Sequence, residues 1–469
     1  MKTFYIETFG CQMNVHDSEK VSGTLLARGY RPVDSPEQAS LVLYNTCSIR
    51  SKAEQKVYSR LQQFRHQADE GKLFAVLGCV AQQEGERIFQ RAPHVSLVCG
   101  SASYGRLGEL LARLEAGERR VTALELAPTD PFETPYARRL HPYRAFLTII
   151  EGCDKSCAYC VVPLTRGPER SRSSRSILEE AARLAASGYT EITLLGQNVN
   201  SYRDPSPARW DFATLLARVA EIPGLRRVRF TTSHPRDFRR EIVQAIDENE
   251  TLCNHVHLPV QSGSDFVLER MQRLYSRDRY LRCIEWIRGA RRPIAITTDV
   301  IVGFPGETEA DFQDTLSLIE EVEFDAMFSF KYSARPNTAA LELDGQVPEK
   351  EKGRRLTILL EKQRAIQIRR NTALVGTTQE VLVERYNPSK GQWVGHTSDN
   401  RTLNFIHPTA GEGSLLGRYV KVRVTRSGPN SLAGEALCDE AAPAWPEQRR
   451  PWGAAMEDRR ASPAAARSC

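Results

Sequence analysis

Three cysteines on one short loop, Cys153, Cys157 and Cys160, constrain this chain more than any other feature. The loop reads Glu151-Gly152-Cys153-Asp154-Lys155-Ser156-Cys157-Ala158-Tyr159-Cys160 and follows an apolar, β-prone run at residues 145–150. Three thiolates on a tight loop can bind three irons of a cubane iron–sulfur cluster. The fourth iron is then without a protein ligand and open to an exogenous molecule. Zinc is the alternative, but a structural zinc site takes four protein ligands, with a second pair at a C-x₂₋₄-C type of spacing. No such second pair follows here.

With 469 residues the chain has room for about three domains. No apolar run approaches the roughly 18 residues a membrane helix needs. The N-terminus alternates like a strand and lacks the features of a signal peptide, which predicts a cytoplasmic protein without a membrane span. Eleven cysteines in such a chain point to metal or catalytic use more than to disulfides. A net charge of +6 permits a nucleic-acid partner without demanding one.

In residues 1–135 three short β-prone runs each end in a cysteine: residues 4–10 lead to Cys11, 41–46 to Cys47 and 73–78 to Cys79. Helical patterns separate them, one from about residue 17 to 28 and another from 51 to about 64. Strand and helix in alternation predict an open parallel α/β sheet, and such sheets collect ligands at the carboxyl edge. The three thiols then converge, either as small buried hydrophobes or as a second three-ligand cluster. Cys99 ends a fourth run and reads as a packing residue.

Residues 120–140 carry Pro128, Pro131 and Pro135 and read as a linker. From 137 to 370 about six βα units predict a partial barrel, with its catalytic groups at strand ends. Arg166 and Arg172, just after the cysteine loop, are candidates to hold an anionic ligand or RNA phosphate. His234 and His257 have no spaced partner and do not read as metal ligands. Cys253 and Cys283 read as packing residues, and residues 353–370 as a connecting helix with Leu356, Leu359, Leu360 and Ile366 inward. From 375 to 440 the pattern is all-β and predicts a small barrel. Val420, Val422 and Val424 face one side, while Tyr419, Lys421 and Arg423 face the other, where they could meet RNA backbone and bases. Residues 441–469 are rich in Ala, Pro and Arg and read as a disordered tail.

Gly10-Cys11-Gln12-Met13-Asn14, Asn45-Thr46-Cys47-Ser48-Ile49-Arg50 and Gly78-Cys79-Val80-Ala81-Gln82 precede the CxxxCxxC loop in that order. From residue 1 to about 440 the chain therefore resembles the methylthiotransferase family of radical S-adenosylmethionine (SAM) enzymes. Cys11-Gln12-Met13-Asn14 with Cys157-Ala158-Tyr159-Cys160-Val161-Val162-Pro163 resembles the members that place a methylthio group on C2 of N6-isopentenyladenosine next to the tRNA anticodon. Members acting on threonylcarbamoyl-adenosine or on a ribosomal-protein aspartate fit the Gln-Met-Asn run less well. The alternative of another class is a non-enzymatic, metal-bound RNA-binding protein. The resemblance implies two [4Fe–4S] clusters, an auxiliary one on Cys11, Cys47 and Cys79 and a radical SAM one on Cys153, Cys157 and Cys160. It implies two uses of SAM, one to methylate sulfur and one to make the 5′-deoxyadenosyl radical, with no acid–base catalyst. Tyr159, Gln197, Asn198, Ser233, Gln261 and Gly303 are the implied SAM neighbours. Residues 375–440 resemble the TRAM domain, an oligonucleotide-binding-like module. Implied partners are a tRNA anticodon stem-loop and an electron donor such as flavodoxin or ferredoxin, acting on a monomer.

Overall fold

The computed structural model describes residues 2–48, 51–68, 71–126, 138–408 and 415–437. Most of the expected linker, Cys438, Cys469 and the expected disordered tail at 441–469 lie outside the described residues.

The N-terminal sheet holds β1 (Thr3–Phe9), β2 (Arg31–Pro32), β3 (Leu41–Thr46), β4 (Leu73–Gly78), β5 (Val95–Cys99) and β6 (Val121–Ala123) in the order β2-β1-β3-β4-β5-β6, all parallel. Parallel strands buried on both faces need apolar residues at successive positions, and β3 supplies them. Leu41 and Leu43 enter one core with Val21 and Leu25 of the helix Gln12–Ala27, while Val42 and Tyr44 enter the other with Val57 and Leu61 of the helix Ser51–Gln63. Cys99 lies wholly buried beside Leu97, and burial pushes its thiol up to about 12; it is a packing residue. The first helix begins directly after Cys11, earlier than its apolar spacing suggests.

Six parallel strands form the middle of the molecule. β7 (Arg144–Thr148), β10 (Glu191–Leu195) and β11 (Arg227–Phe230) make one sheet, ordered β11-β10-β7, and β12 (His255–His257), β13 (Ala295–Val302) and β14 (Ala326–Lys331) make another. A bridge from Val228 to Leu252 carries the first sheet toward the second, giving the partial barrel. A short antiparallel pair, β8 (Ile150–Glu151) and β9 (Arg170–Ser171), closes the base of the cysteine loop. One core joins strand residues Leu147, Ile192, Val256 and Ile296 to the surrounding helices through Ile177, Leu215, Ile246, Ile284 and Ile319. Each such side chain contributes about 1.5–3 kcal/mol by leaving water. Cys253 and Cys283 are buried as packing residues.

The helix Glu349–Thr372 crosses to the last domain. Leu359 and Ile366 pack inward as expected, but Leu360 is exposed. The C-terminal domain is a closed barrel, ordered β15-β16-β17-β19-β18, of β15 (Thr378–Asn387), β16 (Gln392–Thr397), β17 (Thr402–Ile406), β18 (Tyr419–Ser427) and β19 (Leu432–Ala436). Val420, Val422 and Val424 fill it with Trp393 and Phe405, while Lys421 and Arg423 are exposed. Among the described residues no helix is long and apolar enough to cross a membrane.

Candidate active site

The cysteine loop is held from three sides. Gly152 has φ of 76°, and a Cβ there would stand 2.0 Å from the Pro168 carbonyl oxygen, so only glycine fits. Its N–H donates to Gln197 Oε1 at 2.5 Å. Cys153 N–H donates to the Gly167 carbonyl at 3.2 Å, and Ala158 N–H to the Met271 carbonyl at 2.9 Å. Burial pushes the Cys153 thiol up to about 11 and the Cys160 thiol to about 12, and the neighbouring Cys157 adds to both. Metal binding takes thiolates, so a ligand there must supply strong positive charge. Tyr159 packs edge-on against Phe304, ring centroids 6.3 Å apart, with Arg273 Nη1 at 3.4 Å from its hydroxyl.

The N-terminal cysteines sit level with one another. Phe9 is in register with Thr46, and Thr46 with Gly78, so Cys11, Cys47 and Cys79 leave three adjacent strands at one carboxyl edge. Close backbone packing keeps them together: a Cβ on Gly10 would lie 2.8 Å from Cys47 Cβ, and one on Gly78, at φ of 88°, 2.4 Å from Asn45 Oδ1. Hydrogen bonding with Cys47, assisted by Arg166 against the effect of burial, brings the Cys11 thiol down to about 6. Two asparagines knit the edge. Asn45 Nδ2 donates to the Asn14 carbonyl at 2.8 Å and to Ser18 Oγ at 2.9 Å, and Cys11 Sγ–H donates to Asn14 Oδ1 at 3.3 Å. Neither asparagine was given a role from sequence, although each lies inside a cysteine motif.

Both triads are all-thiol donor sets, which suit iron–sulfur chemistry. Among the described residues no three His, Cys, Asp or Glu side chains converge to grip one ion.

The triads are neighbours. The helix Cys79–Glu84 packs against the helix Val162–Arg166, which starts two residues after Cys160. Ser101 Oγ donates to the Thr165 carbonyl at 3.2 Å, and Lys20 Nζ reaches Glu151 Oε1 at 3.3 Å.

Beside the loop, the ends of β10 and β11 are tied: Val199 N–H donates to the Thr232 carbonyl at 3.0 Å, and Asn200 exchanges hydrogen bonds with the His234 backbone. Asn198 Nδ2 donates to Asp237 Oδ2 at 2.9 Å, and Asp237 also takes Lys155 Nζ of the cysteine loop at 2.8 Å. Asn198 Oδ1, Ser233 Oγ and His234 Nε2 are buried and have no hydrogen-bond partner among the described residues. Native proteins satisfy such atoms, so a polar ligand such as SAM fits here. Gln261 lies at φ of 73°, its N–H on the Asp299 carbonyl at 2.8 Å. Gly303, at φ of 71°, donates its N–H to Glu307 Oε1 at 3.0 Å, and a Cβ there would press into Lys352. Sequence reasoning missed His234 as a site-facing side chain, as well as Arg273, Lys155 and Asp237; the Ser-His-Pro turn was the available signal for the first.

Three of the residues assigned to RNA are placed otherwise. Arg166 and Arg172 are buried in carboxylate pairs, Arg166 Nη2 with Asp17 Oδ2 at 2.6 Å and Arg172 Nη1 with Glu180 Oε2 at 2.5 Å, so neither guanidinium is presented at the surface. Tyr419 is buried against the central domain, its hydroxyl 3.2 Å from Thr190 Oγ1 and its ring under Arg226 and Arg227. Lys421 and Arg423 alone of that set are exposed.

Three family models match the chain: "Uncharacterized protein family UPF0004" over residues 3–100, "Radical SAM superfamily" over 147–319 and "TRAM domain" over 372–437. The tRNA-2-methylthio-N(6)-dimethylallyladenosine synthase of Solibacter usitatus is 68% identical over 435 residues, covering 93% of this chain and 98% of that protein. The synthase of the same name from Koribacter versatilis is 60% identical over 438 residues, covering 93% and 98%. The solved structure of the radical SAM methyltransferase TsrM from Kitasatospora setae covers 81% of this chain and 78% of its own with a TM-score of 0.52; at 14% identity the likeness is one of fold. Identity of this extent over three matched domains leaves one conclusion: the chain belongs to the radical SAM methylthiotransferases, the family of the tRNA-2-methylthio-N(6)-dimethylallyladenosine synthases.

Proposed function

We propose that this protein installs a methylthio group on C2 of an N6-isopentenylated adenosine next to the anticodon of tRNA. Membership of the radical SAM family brings one [4Fe–4S] cluster and SAM; in our reading Cys153, Cys157 and Cys160 hold that cluster, and Cys11, Cys47 and Cys79 hold a second. When bound, these groups supply the one-electron cleavage of SAM and the methylated sulfur, with one SAM spent on each, and they reach a C2–H that acid–base groups cannot activate. The packing of the helix Cys79–Glu84 on the helix Val162–Arg166 carries the proposal. It joins the helix that opens on Cys79 to the one that starts two residues after Cys160, which supports a reading in which sulfur is delivered to a nearby radical-activated carbon.

The chain's own residues prepare that meeting. Gln197 holds the Gly152 turn, and Asn198, Ser233 and His234 offer polar atoms to SAM. Gln261 and Gly303, in left-handed backbone on neighbouring strand ends, and Tyr159 on the loop itself complete the SAM neighbours. The target base is turned out of a single-stranded loop, where extrusion costs little. Lys421 and Arg423 contact the stem backbone from the C-terminal barrel. The reading includes domain bounds of 1–135, 137–370 and 375–440, a cytoplasmic monomer, and reduction by flavodoxin or ferredoxin.

Iron and sulfide analysis after anaerobic reconstitution, followed by assay on isopentenylated tRNA, tests the proposal. About eight irons are expected in the wild type and about four in the Cys153/Cys157/Cys160 triple alanine variant, as two cubanes require. Cys157→Ala abolishes SAM cleavage. Cys79→Ala keeps cleavage and loses sulfur insertion. Normal methylthiolated product from Cys79→Ala would refute the two-cluster reading.

A further inference from the structure

Arg273 is a buried cation without a carboxylate. The residue is 5% exposed, and among the described residues no Asp or Glu pairs with it. Nε donates to Tyr275 Oη at 3.1 Å and Nη2 to the Pro259 carbonyl at 3.2 Å. Nη1 donates to Cys157 Sγ at 3.3 Å and lies 3.4 Å from Tyr159 Oη. A buried charge with no counter-charge is strongly unfavourable, and the sulfur of Cys157 is the atom of the cysteine triad that this guanidinium faces.

The backbone is bent to place this side chain. Gln272 and Leu274, on either side of Arg273, both adopt left-handed φ, 55° and 57°. Such backbone is disfavoured for residues other than glycine, and it leaves Leu274 62% exposed while Arg273 is buried and Tyr275 packs, partly buried, against the central core. Tyr275 Oη donates to the Val260 carbonyl at 2.6 Å, which fixes the acceptor for Arg273 Nε. The same turn meets the cysteine loop again, through Ala158 N–H on the Met271 carbonyl at 2.9 Å.

We propose that Arg273 is a positioning residue of the radical SAM cluster: it sets its guanidinium against the Cys157 thiolate and raises the potential at which the cluster accepts an electron. Hydrogen bonds to ligand sulfurs and net charge both set such potentials. The electron comes from a reductant, dithionite in vitro, and adds negative charge to the cluster. A fixed cation at the sulfur stabilises that reduced form over the oxidised one. The inference rests on Cys157 being a ligand of that cluster.

The test is a redox titration followed by electron paramagnetic resonance, with iron counted on the same samples. Wild type, Arg273→Met, Arg273→Lys, Tyr275→Phe and the Cys153/Cys157/Cys160 triple alanine variant are compared. Loss of iron in the triple variant secures the ligand reading separately; iron retained there refutes that reading instead. With the cluster retained, Arg273→Met moves the midpoint to more negative values, and its reduced signal at a fixed dithionite concentration falls. Arg273→Lys, which keeps the charge and loses the fork, shifts less. Tyr275→Phe, which loosens the arginine without removing it, shifts in the same direction. An unchanged midpoint in all three overturns the proposal. So does weaker SAM binding at an unchanged midpoint, which would make Arg273 an anion clamp. If Arg273→Met loses its cluster, Tyr275→Phe and Arg273→Lys decide by the same readout.

Discussion

His234 is buried where β11 ends, and burial, then Arg273, push its pKa from 6.5 down to about 2. Burial also drives His16 and His255 well below their ordinary value. Each ring titrates near 6.5 once unfolded but stays neutral in the fold to far lower pH. Between those values the unfolded chain binds more protons, so the stability these residues allow is full above about pH 6.5 and lost as pH falls below it. Each contributes a slope of about 1.4 kcal/mol per pH unit in that window. Urea midpoints measured from pH 7 to 5 are expected to fall steeply, and His255→Asn to remove one histidine's share of the slope. At this scale the Cys153-Cys157-Cys160 motif could be read as a candidate ligand set because its spacing within one loop is local. Arg273 was not, since Cys157 lies 116 residues away and only a turn with two left-handed residues joins them. Arg166 misled for the same reason: an arginine beside cysteines reads as an anion clamp until Asp17, 149 residues distant, is seen to neutralise it.

The helix Gln12–Ala27 shows why element boundaries went wrong where they did. Asn14, His16, Asp17, Ser18, Glu19 and Lys20 are all buried, so its first turns carry no apolar stripe to read. Their polar face is covered by the central domain, which brings Arg166 to Asp17, Arg139 to Glu19 and Glu151 to Lys20. Periodicity detects a helix on a greasy core and is silent about one buried in charge. Removing one member of a buried ion pair costs about 3–5 kcal/mol, because the other is left uncompensated. Asp17→Ala is therefore expected to lower the thermal midpoint sharply, and Asp17→Leu with Arg166→Met to recover most of the loss. If single and double variants melt alike, the pair does not join these domains energetically. The strand–helix alternation, by contrast, was plain in sequence, because β3 and β4 are apolar on both faces and nothing but a covered parallel sheet accommodates that.

The C-terminal barrel is bolted to the rest of the molecule. Arg227 Nη1 donates to the His396 carbonyl at 2.8 Å, Arg229 Nη2 to the Thr397 carbonyl at 2.6 Å, and Asp325 takes both Arg370 and Arg401. Tyr419 belongs to this joint. The alternation along β18 showed which side chains leave the barrel, but no pattern within a strand tells whether water or another domain receives them. Lys421→Ala with Arg423→Ala is expected to weaken tRNA binding and flatten its salt dependence by about one unit of slope per lost phosphate contact, with no change in melting. Tyr419→Ala is expected to lower the melting temperature instead, and filter binding across a salt series beside thermal scans separates the two. The contact between the helices Cys79–Glu84 and Val162–Arg166 has a consequence of its own. Two workstations bolted to one bench cannot be drawn together for a short workpiece or spread for a long one. On the two-cluster reading proposed above, the gap between the thiol sets would be set by this helix contact, and any adjustment would fall to the nucleotide. Selectivity on this bench would act as a test of reach: a base that extends to both stations is processed, and one that reaches a single station leaves unchanged.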